Sequence, residues 1–309
     1  MAVAVINYNT VDHLRTCLAS VRATGAREVL VKDNGSTDGS VEMVRREFPE
    51  VAVHPDFGNP GYGAAANQAV AACRAPYVFL LNSDTILQPD TLRILAAHLD
   101  AHPDAGIVGP RLHNPDGTLQ NSARPFFRPI TLRPLVRLVP GWRDRSILTW
   151  THDHDRAVPW VVGAALAIRR RAFEAVGGFD PAYFMYSEEV DLCYRLRAAG
   201  WTVRFTPATT VVHVGGASTT QRRAAMQVQL YASMRQFYAR HYPPGRLTQL
   251  DLVLKGQMVV HLLRDRARLA LAHDGPDAAR LRENIQIWRR VLRGEWPERR
   301  GAARPTGAA

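Results

Sequence analysis

Apolar positions in the first 110 residues fall into short continuous runs separated by stretches of helical period. The strand-like runs are Ala2 to Ile6, Val29 to Val31, Val51 to Val53, Val78 to Leu81 and Ile107 to Val108. Between them apolar residues recur at three- and four-residue spacing, as in Val11, Leu14, Leu18 and Val21, with Asp12 early in the first turn. Strands alternating with helices predict an α/β fold built on a doubly wound, mainly parallel sheet.

In such sheets ligands bind beyond the carboxyl ends of the strands. Here those ends are polar: Asn7-Tyr8-Asn9 after the first, Asp33-Asn34-Gly35-Ser36 after the second and Asn82-Ser83-Asp84 after the fourth. The stretch FLLNSDT runs from an apolar strand into a single carboxylate between small polar residues. What lies opposite that carboxylate decides its use.

The second half is less regular. Gly177-Gly178-Phe179-Asp180-Pro181 reads as a turn, and Ser187 as the N-cap of a helix through Ala199 with Glu188, Glu189 and Asp191 near its start. Val203-Arg204-Phe205 and Val211-Val212-His213-Val214 read as two short strands. From about Ser218 the pattern is helical to Arg293, broken at Pro243-Pro244-Gly245 and Gly275-Pro276, and the last nine residues, GAARPTGAA, read as disordered. The expected domains are 1–220, in two halves at 1–110 and 111–220, then a helical extension at 221–300 and a tail at 301–309.

Composition narrows the class. With 309 residues and 46% hydrophobic content the chain can bury the core of one large domain plus an appendage. Cys17, Cys73 and Cys193 are far apart inside apolar helical patterns, giving no disulfide framework or paired metal spacing; they read as core residues in a reducing compartment. The chain opens on strand-like residues without a signal-peptide layout, and apolar runs such as Val161 to Ile168 fall far short of the roughly 20 residues that span a bilayer. A cytoplasmic location is expected.

The net charge of +11 is concentrated. Residues 124–145 hold six arginines and one acid, and residues 246–300 hold twelve basic residues and seven acids. Such patches suit nucleic acid, anionic lipid or a diphosphate substrate, or are simply solvated faces. Nucleic acid is set aside, because no nucleic-acid-binding module is recognisable.

Several constellations could carry chemistry, each with a plainer alternative. Gly58-Asn59-Pro60-Gly61-Tyr62-Gly63 before an alanine-rich helix could face a phosphate, but it lacks the third glycine of a dinucleotide fingerprint. His152-Asp153-His154-Asp155 has metal-ligand types, yet reads better as a solvated charge run. Glu188 and Glu189 could be no more than partners of the helix dipole. His213, taken alone, reads as a core histidine.

In order, NYN at Asn7 to Asn9, KDNGSTDGS from Lys32, NPGYGAAANQA from Asn59, LLNSDT, GGFDPAYFMYSEEVDLCYRLRAAGW from Gly177, and His213 with Gly215-Gly216-Ala217-Ser218 form a series. It resembles the family 2 inverting glycosyltransferases of GT-A fold, in particular their rhamnosyltransferase-like branch, over about residues 2–220.

The resemblance implies a set of roles. Asp33 would bind the pyrimidine ring, Asn7, Tyr8 and Asn9 the base and ribose, with Gly61, Tyr62, Asn67, Asn82 and Ser83 on the same donor side. The family's usual DxD has Asn82 in place of its first acid, leaving Asp84 as the metal ligand with His213 completing the site. One carboxylate suffices where the donor's diphosphate and waters supply the remaining ligands of Mn²⁺ or Mg²⁺, and a nitrogen ligand tilts the choice toward Mn²⁺. Direct displacement at the anomeric carbon needs one base; the resemblance places it on Glu189, with Glu188 and Asp191 orienting acceptor or base. The expected donor is dTDP-L-rhamnose ahead of UDP-sugars, and the acceptor a glycan or lipid-diphosphate-linked sugar. The alternative is a nucleotide-sugar or anionic-glycan binding protein without turnover. Leu250, Leu254, Met258 and Leu262, followed by Arg264, Arg266 and Arg268, form a helical face that could lie on an anionic membrane, or pack on the catalytic domain or a second subunit of a homodimer.

Overall fold

The computed structural model describes residues 1–56, 58–126, 151–217 and 223–297. Most of the arginine-rich loop and the tail expected to be disordered lie outside them. The described residues divide between two compact units, one holding 1–126, 151–181 and 188–217, the other 182–187 and 223–297.

The first unit is built on one large sheet. Its strands are β1 (Ala2–Asn7), β2 (Val29–Asp33), β3 (Ala52–Pro55), β4 (Tyr77–Asn82), β5 (Thr85–Leu87), β6 (Ala105–His113), β7 (Leu119–Gln120), β9 (Arg156–Ala157), β11 (Ala165–Arg169) and β12 (Thr202–His213). A separate two-stranded ladder pairs β8 (Ala123–Arg124) with β10 (Trp160–Val161). The main order is β3-β2-β1-β4-β11-β6-β12-β5, with β7 beside β6 and β9 beside β12. The first four of these run parallel, as does β12 beside β6, whereas β11 is antiparallel to both its neighbours. This is the mainly parallel α/β sheet the sequence predicts.

Helices α1 (Val11–Ala23), α2 (Ser40–Glu47), α3 (Tyr62–Ala72) and α4 (Thr91–Ala101) join the early strands, and α5 (Arg170–Ala175) and α6 (Glu188–Ala198) belong to the second half. Leu14, Cys17, Leu18 and Val21 form the buried stripe of α1 and meet Val3, Val5, Phe79 and Leu81 from β1 and β4 in one apolar core. Fully burying each such side chain contributes about 1.5–3 kcal/mol. All three cysteines are free and buried, as expected, and burial pushes the Cys17 and Cys193 thiols up to about 12.

Three local expectations change. The two short strands of the second half are one twelve-residue strand, β12, with a register shift between Thr206 and Thr210 against β6. The run Val161 to Ile168, notable in sequence only as too short for a membrane, contains β11, which separates β4 from β6 at the centre of the sheet. The helix carrying the acids begins at Glu188, and Tyr186 and Ser187 before it hold left-handed φ of 66° and 65°.

The second unit contains α7 (Arg223–His241), α8 (Pro244–Leu271) and α9 (Pro276–Arg293), with the interruptions where the prolines predict them; Pro244 and Pro276 occupy first-turn positions. Val228, Met258, Ile287, Trp288 and Val291 make its core. Leu250, Leu254 and Met258 are buried, so of the two readings left open for their face it is packing within the protein, not a free membrane-facing surface, that these three residues follow. The opposite side of α8 instead exposes Leu252, Val259, Val260, Leu263 and Leu271. No helix of the described residues is long and apolar enough to cross a membrane.

Candidate active site

The loops after β1 and β2 interlock. Asp33 is buried and accepts from Asn7 Nδ2 (2.7 Å) and Ser36 Oγ (2.6 Å) on one oxygen and from the Ser36 N–H (2.8 Å) on the other. Asn9, at φ 50°, accepts from the Thr37 N–H through its side chain and donates its own N–H to Ser36 Oγ. Thr10 Oγ1 donates to Asn7 Oδ1 (2.8 Å) and lies 2.7 Å from Ser83 Oγ, which brings the fourth strand's end into the same network. Asn7, Asn9, Asp33 and Ser83 thus form one polar floor. Tyr8, next to it in sequence, is half-buried.

Asp84 follows β4 and is almost fully buried. Its Oδ2 accepts the Gly215 N–H (3.1 Å), and its Oδ1 stands 3.4 Å from His213 Nε2 at the end of β12. Burial alone would raise its pKa, but His213 and the backbone N–H groups outweigh that and hold it below the usual carboxylate range. Gln120 on β7 settles the imidazole's orientation. Its Nε2 donates to Asn114 Oδ1 (2.9 Å) and the His213 carbonyl (3.3 Å), so its Oε1, 2.7 Å away, accepts from His213 Nδ1–H. With Nδ1–H taken up by Gln120, Nε2 is the nitrogen that faces the Asp84 oxygen. One carboxylate oxygen and one imidazole nitrogen so placed, the ring oriented by a further hydrogen bond, fit a divalent metal. Gln120 was not singled out from sequence, because nothing local to Leu119-Gln120 signals a partner 93 residues away.

Glu188 and Glu189 open α6 and are packed against two glycine positions. A Cβ on Gly63 would lie 3.6 Å from the Glu188 Cβ, and one on Gly163 would lie 3.4 Å from that of Glu189. Tyr62, at the start of α3, donates its hydroxyl to the Gly163 carbonyl (2.9 Å). Its pKa is raised by burial first and then by the charges of Glu188, Glu189 and Asp84. Among the described residues, Oε2 of each glutamate is buried without a hydrogen-bond partner. Burial, then the charge of Glu189, pushes Glu188 well above the ordinary carboxylate range; burial raises Glu189 too, against the pull of nearby backbone N–H groups and Arg124. Arg124 was visible in sequence only as one of a basic cluster.

Other expected residues sit differently. Asn67 gives both ends of its amide to Phe179, donating to the carbonyl and accepting from the N–H at 2.8 Å each, so it pins the Gly-Gly-Phe turn rather than joining the polar floor. Asp191 is fully buried and accepts from Arg195 Nε at 2.6 Å, while the same guanidinium reaches the carbonyls of Val176 and Gly178. Through Arg195 it is tied to the Gly177-Gly178 turn. Asn82 uses its backbone to hold Ala164 and Thr85 and leaves its side chain half-buried. Gly61 caps α3 at φ 96°, its N–H donated to Asn59 Oδ1. The expected charge run at 152–155 is solvated only in part. Asp153 is exposed and pairs with His154, but His152 is buried against Phe205 and accepts the Ala123 N–H.

A sheet of this order, with a carboxylate–histidine pair at one strand end and buried acids opening the helix beside it, defines a GT-A glycosyltransferase. Residues 2–177, more than half of the chain, match Glycosyl transferase family 2, and the protein belongs to that family. It is 32% identical over 286 residues to an N-acetylglucosaminyl-diphospho-decaprenol L-rhamnosyltransferase of Mycobacterium tuberculosis, covering 85% of this chain and 92% of that one. Rhamnosyltransferase WbbL of Escherichia coli is 25% identical over 223 residues, covering 68% and 82%. Among solved structures, the mannosyltransferase PcManGT of Pyrobaculum calidifontis, in complex with GDP-Man and Mn²⁺, matches in fold with TM-score 0.56 at 19% identity, covering 94% of this chain and 86% of that one.

Proposed function

We propose that the protein transfers L-rhamnose from dTDP-L-rhamnose to a hydroxyl of a lipid-diphosphate-linked saccharide, with inversion. The observation that carries this reading is that Asp84 faces His213 at one strand end while Glu188 and Glu189, each with a buried and unpartnered Oε2 among the described residues, open α6. The names of the rhamnosyltransferase relatives support the donor and the lipid-linked acceptor. In this reading residues 1–220 are the catalytic domain, the first half binding nucleotide and the second the acceptor.

Asp33, Asn7 and Asn9 hold the nucleoside, while Asp84 and His213 hold a divalent ion, Mn²⁺ ahead of Mg²⁺. When bound, that ion neutralises the charge growing on the leaving diphosphate. Both glutamates are buried and the charge of Glu189 weighs on Glu188, so ionising both at once is unfavourable. Burial raises both carboxyls; Glu189, beside Arg124, is the one assigned as the base that takes the proton from the acceptor hydroxyl. Glu188 then remains a neutral neighbour that fixes the base. Meeting a lipid-linked acceptor also requires approach to a membrane, and we assign that contact to the exposed side of α8, where Lys255, Arg264, Arg266 and Arg268 flank the apolar residues.

The deciding experiment incubates the purified chain with dTDP-L-rhamnose, UDP-N-acetylglucosamine or UDP-galactofuranose, with and without Mn²⁺, and a polyprenyl-diphosphate N-acetylglucosamine acceptor. Transfer from dTDP-L-rhamnose alone, dependent on Mn²⁺ and lost in Asp84→Asn, is the expected result. Transfer from a UDP-sugar instead overturns the donor assignment, and full activity of Asp84→Asn overturns the metal site.

A further inference from the structure

A second cluster of metal-ligating groups lies elsewhere in the first unit. His98 is on the last turn of α4 and His102 caps it, four residues on, with ring centroids 4.6 Å apart. Asp155, just before β9, brings Oδ2 within 3.2 Å of His98 Nε2. One nitrogen from each histidine and one oxygen of Asp155 lie within 4.8 Å of one another. His98 Nε2 is buried and makes no hydrogen bond among the described residues, the carboxylate beside it lying off its donor direction.

The surroundings are fixed in advance. Arg169 grips the end of α4, donating to the carbonyls of Leu99 (2.6 Å) and His102 (3.0 Å). Arg204 on β12 donates to Asp155 Oδ1 at 2.6 Å and leaves Oδ2 toward the histidines. A hydrogen-bonded carboxylate is the usual companion of a metal site, although the guanidinium charge lowers affinity for a cation. The carbonyl end of a helix favours positive charge and works the other way.

We propose that His98, His102 and Asp155 bind a borderline transition-metal ion, Zn²⁺ foremost, as a clip between the end of α4 and the segment entering β9. Two imidazoles and one carboxylate suit Zn²⁺ rather than Mg²⁺ or Ca²⁺, and leave a fourth position for water. Ligands about Zn²⁺ stand about 3.4 Å apart in a tetrahedron, so the His98–Asp155 pair is already close to that spacing. The site is separate from the catalytic one. Arg204, which holds Asp155, and His213 occupy opposite ends of the continuous strand β12, roughly 25 Å or more apart at about 3.3 Å per residue. The clip therefore stabilises the fold and takes no part in transfer.

The test uses the full chain carrying Asp84→Asn, so that the catalytic pair does not contribute, stripped with chelator and titrated with Zn²⁺ by calorimetry and with Co²⁺ by visible absorption. One equivalent of either ion, a tetrahedral Co²⁺ spectrum, and a melting temperature raised by Zn²⁺ but not by Mg²⁺ are expected. His102→Gln and, separately, Asp155→Asn, which keeps an acceptor for Arg204, each weaken binding tenfold or more while the metal-free melting temperature stays within the usual range of surface substitutions. Zn²⁺ binding that is absent, or unchanged in both variants, overturns the site.

Discussion

Glu188 and Glu189 are adjacent in sequence and in space, and the difference between them comes from their neighbours. A base acts only when ionised, so a raised Glu189 moves the acid limb of the transfer rate above the ordinary carboxylate range of about 4.3. Glu189→Gln keeps size and shape; transfer should fall by about 10² to 10⁴ with donor affinity retained, as rate and isothermal binding measured on one preparation will show. Glu188→Gln acts on stability. The folded state holds this proton more tightly than the unfolded chain, so the carboxyl's contribution is full below about pH 4.3 and is lost as pH rises toward the folded value. The Gln variant should thus melt above wild type, by a margin that widens as pH rises above about 4.3 in calorimetric scans. Gln120 reaches the Asp84–His213 pair through the His213 ring. Gln120→Leu removes the acceptor that holds Nδ1–H, and Mn²⁺ affinity in the presence of dTDP, read by electron paramagnetic resonance, should weaken about 10- to 100-fold, while Gln120→Glu, which retains an acceptor, should weaken it less.

At the scale of elements, the junction between α3 and the Gly177-Gly178 turn is the tightest constraint on the crevice wall. Gly178 has φ 69°, and a Cβ there would meet Asn67 Oδ1 at 2.6 Å and the Phe173 ring at 2.9 Å. Alanine at 178 adds left-handed strain of about 1–2 kcal/mol and disturbs the buried bonds between Asn67 and Phe179. A loss of about 2–4 kcal/mol is expected from the urea midpoint, whereas Gly177→Ala, which meets nothing within 4 Å, should cost only the backbone strain. The antiparallel insertion of β11 matters for the same wall: Asn82 N–H donates to the Ala164 carbonyl, so the strand that carries the Asn82-Ser83-Asp84 step is braced by a segment far along the chain.

For the whole molecule, the two faces of α8 reverse the simplest reading of its sequence. The regular four-residue repeat of Leu250, Leu254 and Met258 faces the helical core, and the less regular set of Leu252, Val260 and Leu263 faces solvent, where Leu252 and Leu263 are 67% and 61% exposed. Each basic residue beside an anionic surface contributes about 1 kcal/mol before screening. The full chain should cosediment with anionic vesicles at low salt and not with neutral ones, and the triple change Leu252→Glu, Val260→Glu, Leu263→Glu should abolish this without loss of helical circular dichroism. A wild-type chain that stays in the supernatant with anionic vesicles removes the membrane assignment and leaves this face to a second copy of the chain, which sedimentation velocity would detect.

The alternation of apolar runs and helical periods determined the parallel half of the sheet, because strands covered on both faces must be apolar throughout and their connecting helices must be amphipathic. The same logic located the polar strand ends, the acids of α6 and the three C-terminal helices with their proline starts. Pattern carries no direction or partner, and so only the tertiary structure decided that β11 runs antiparallel between β4 and β6, that Asn67 and Asp191 serve a turn, and which face of α8 is buried. Nor does local sequence report electrostatics between distant segments. The pairing of Asp84 with His213, the grip of Gln120 on that imidazole and the upward pKa shifts of two neighbouring glutamates arise from burial and from charges that lie far apart along the chain, and they exist only once the sheet has closed around them.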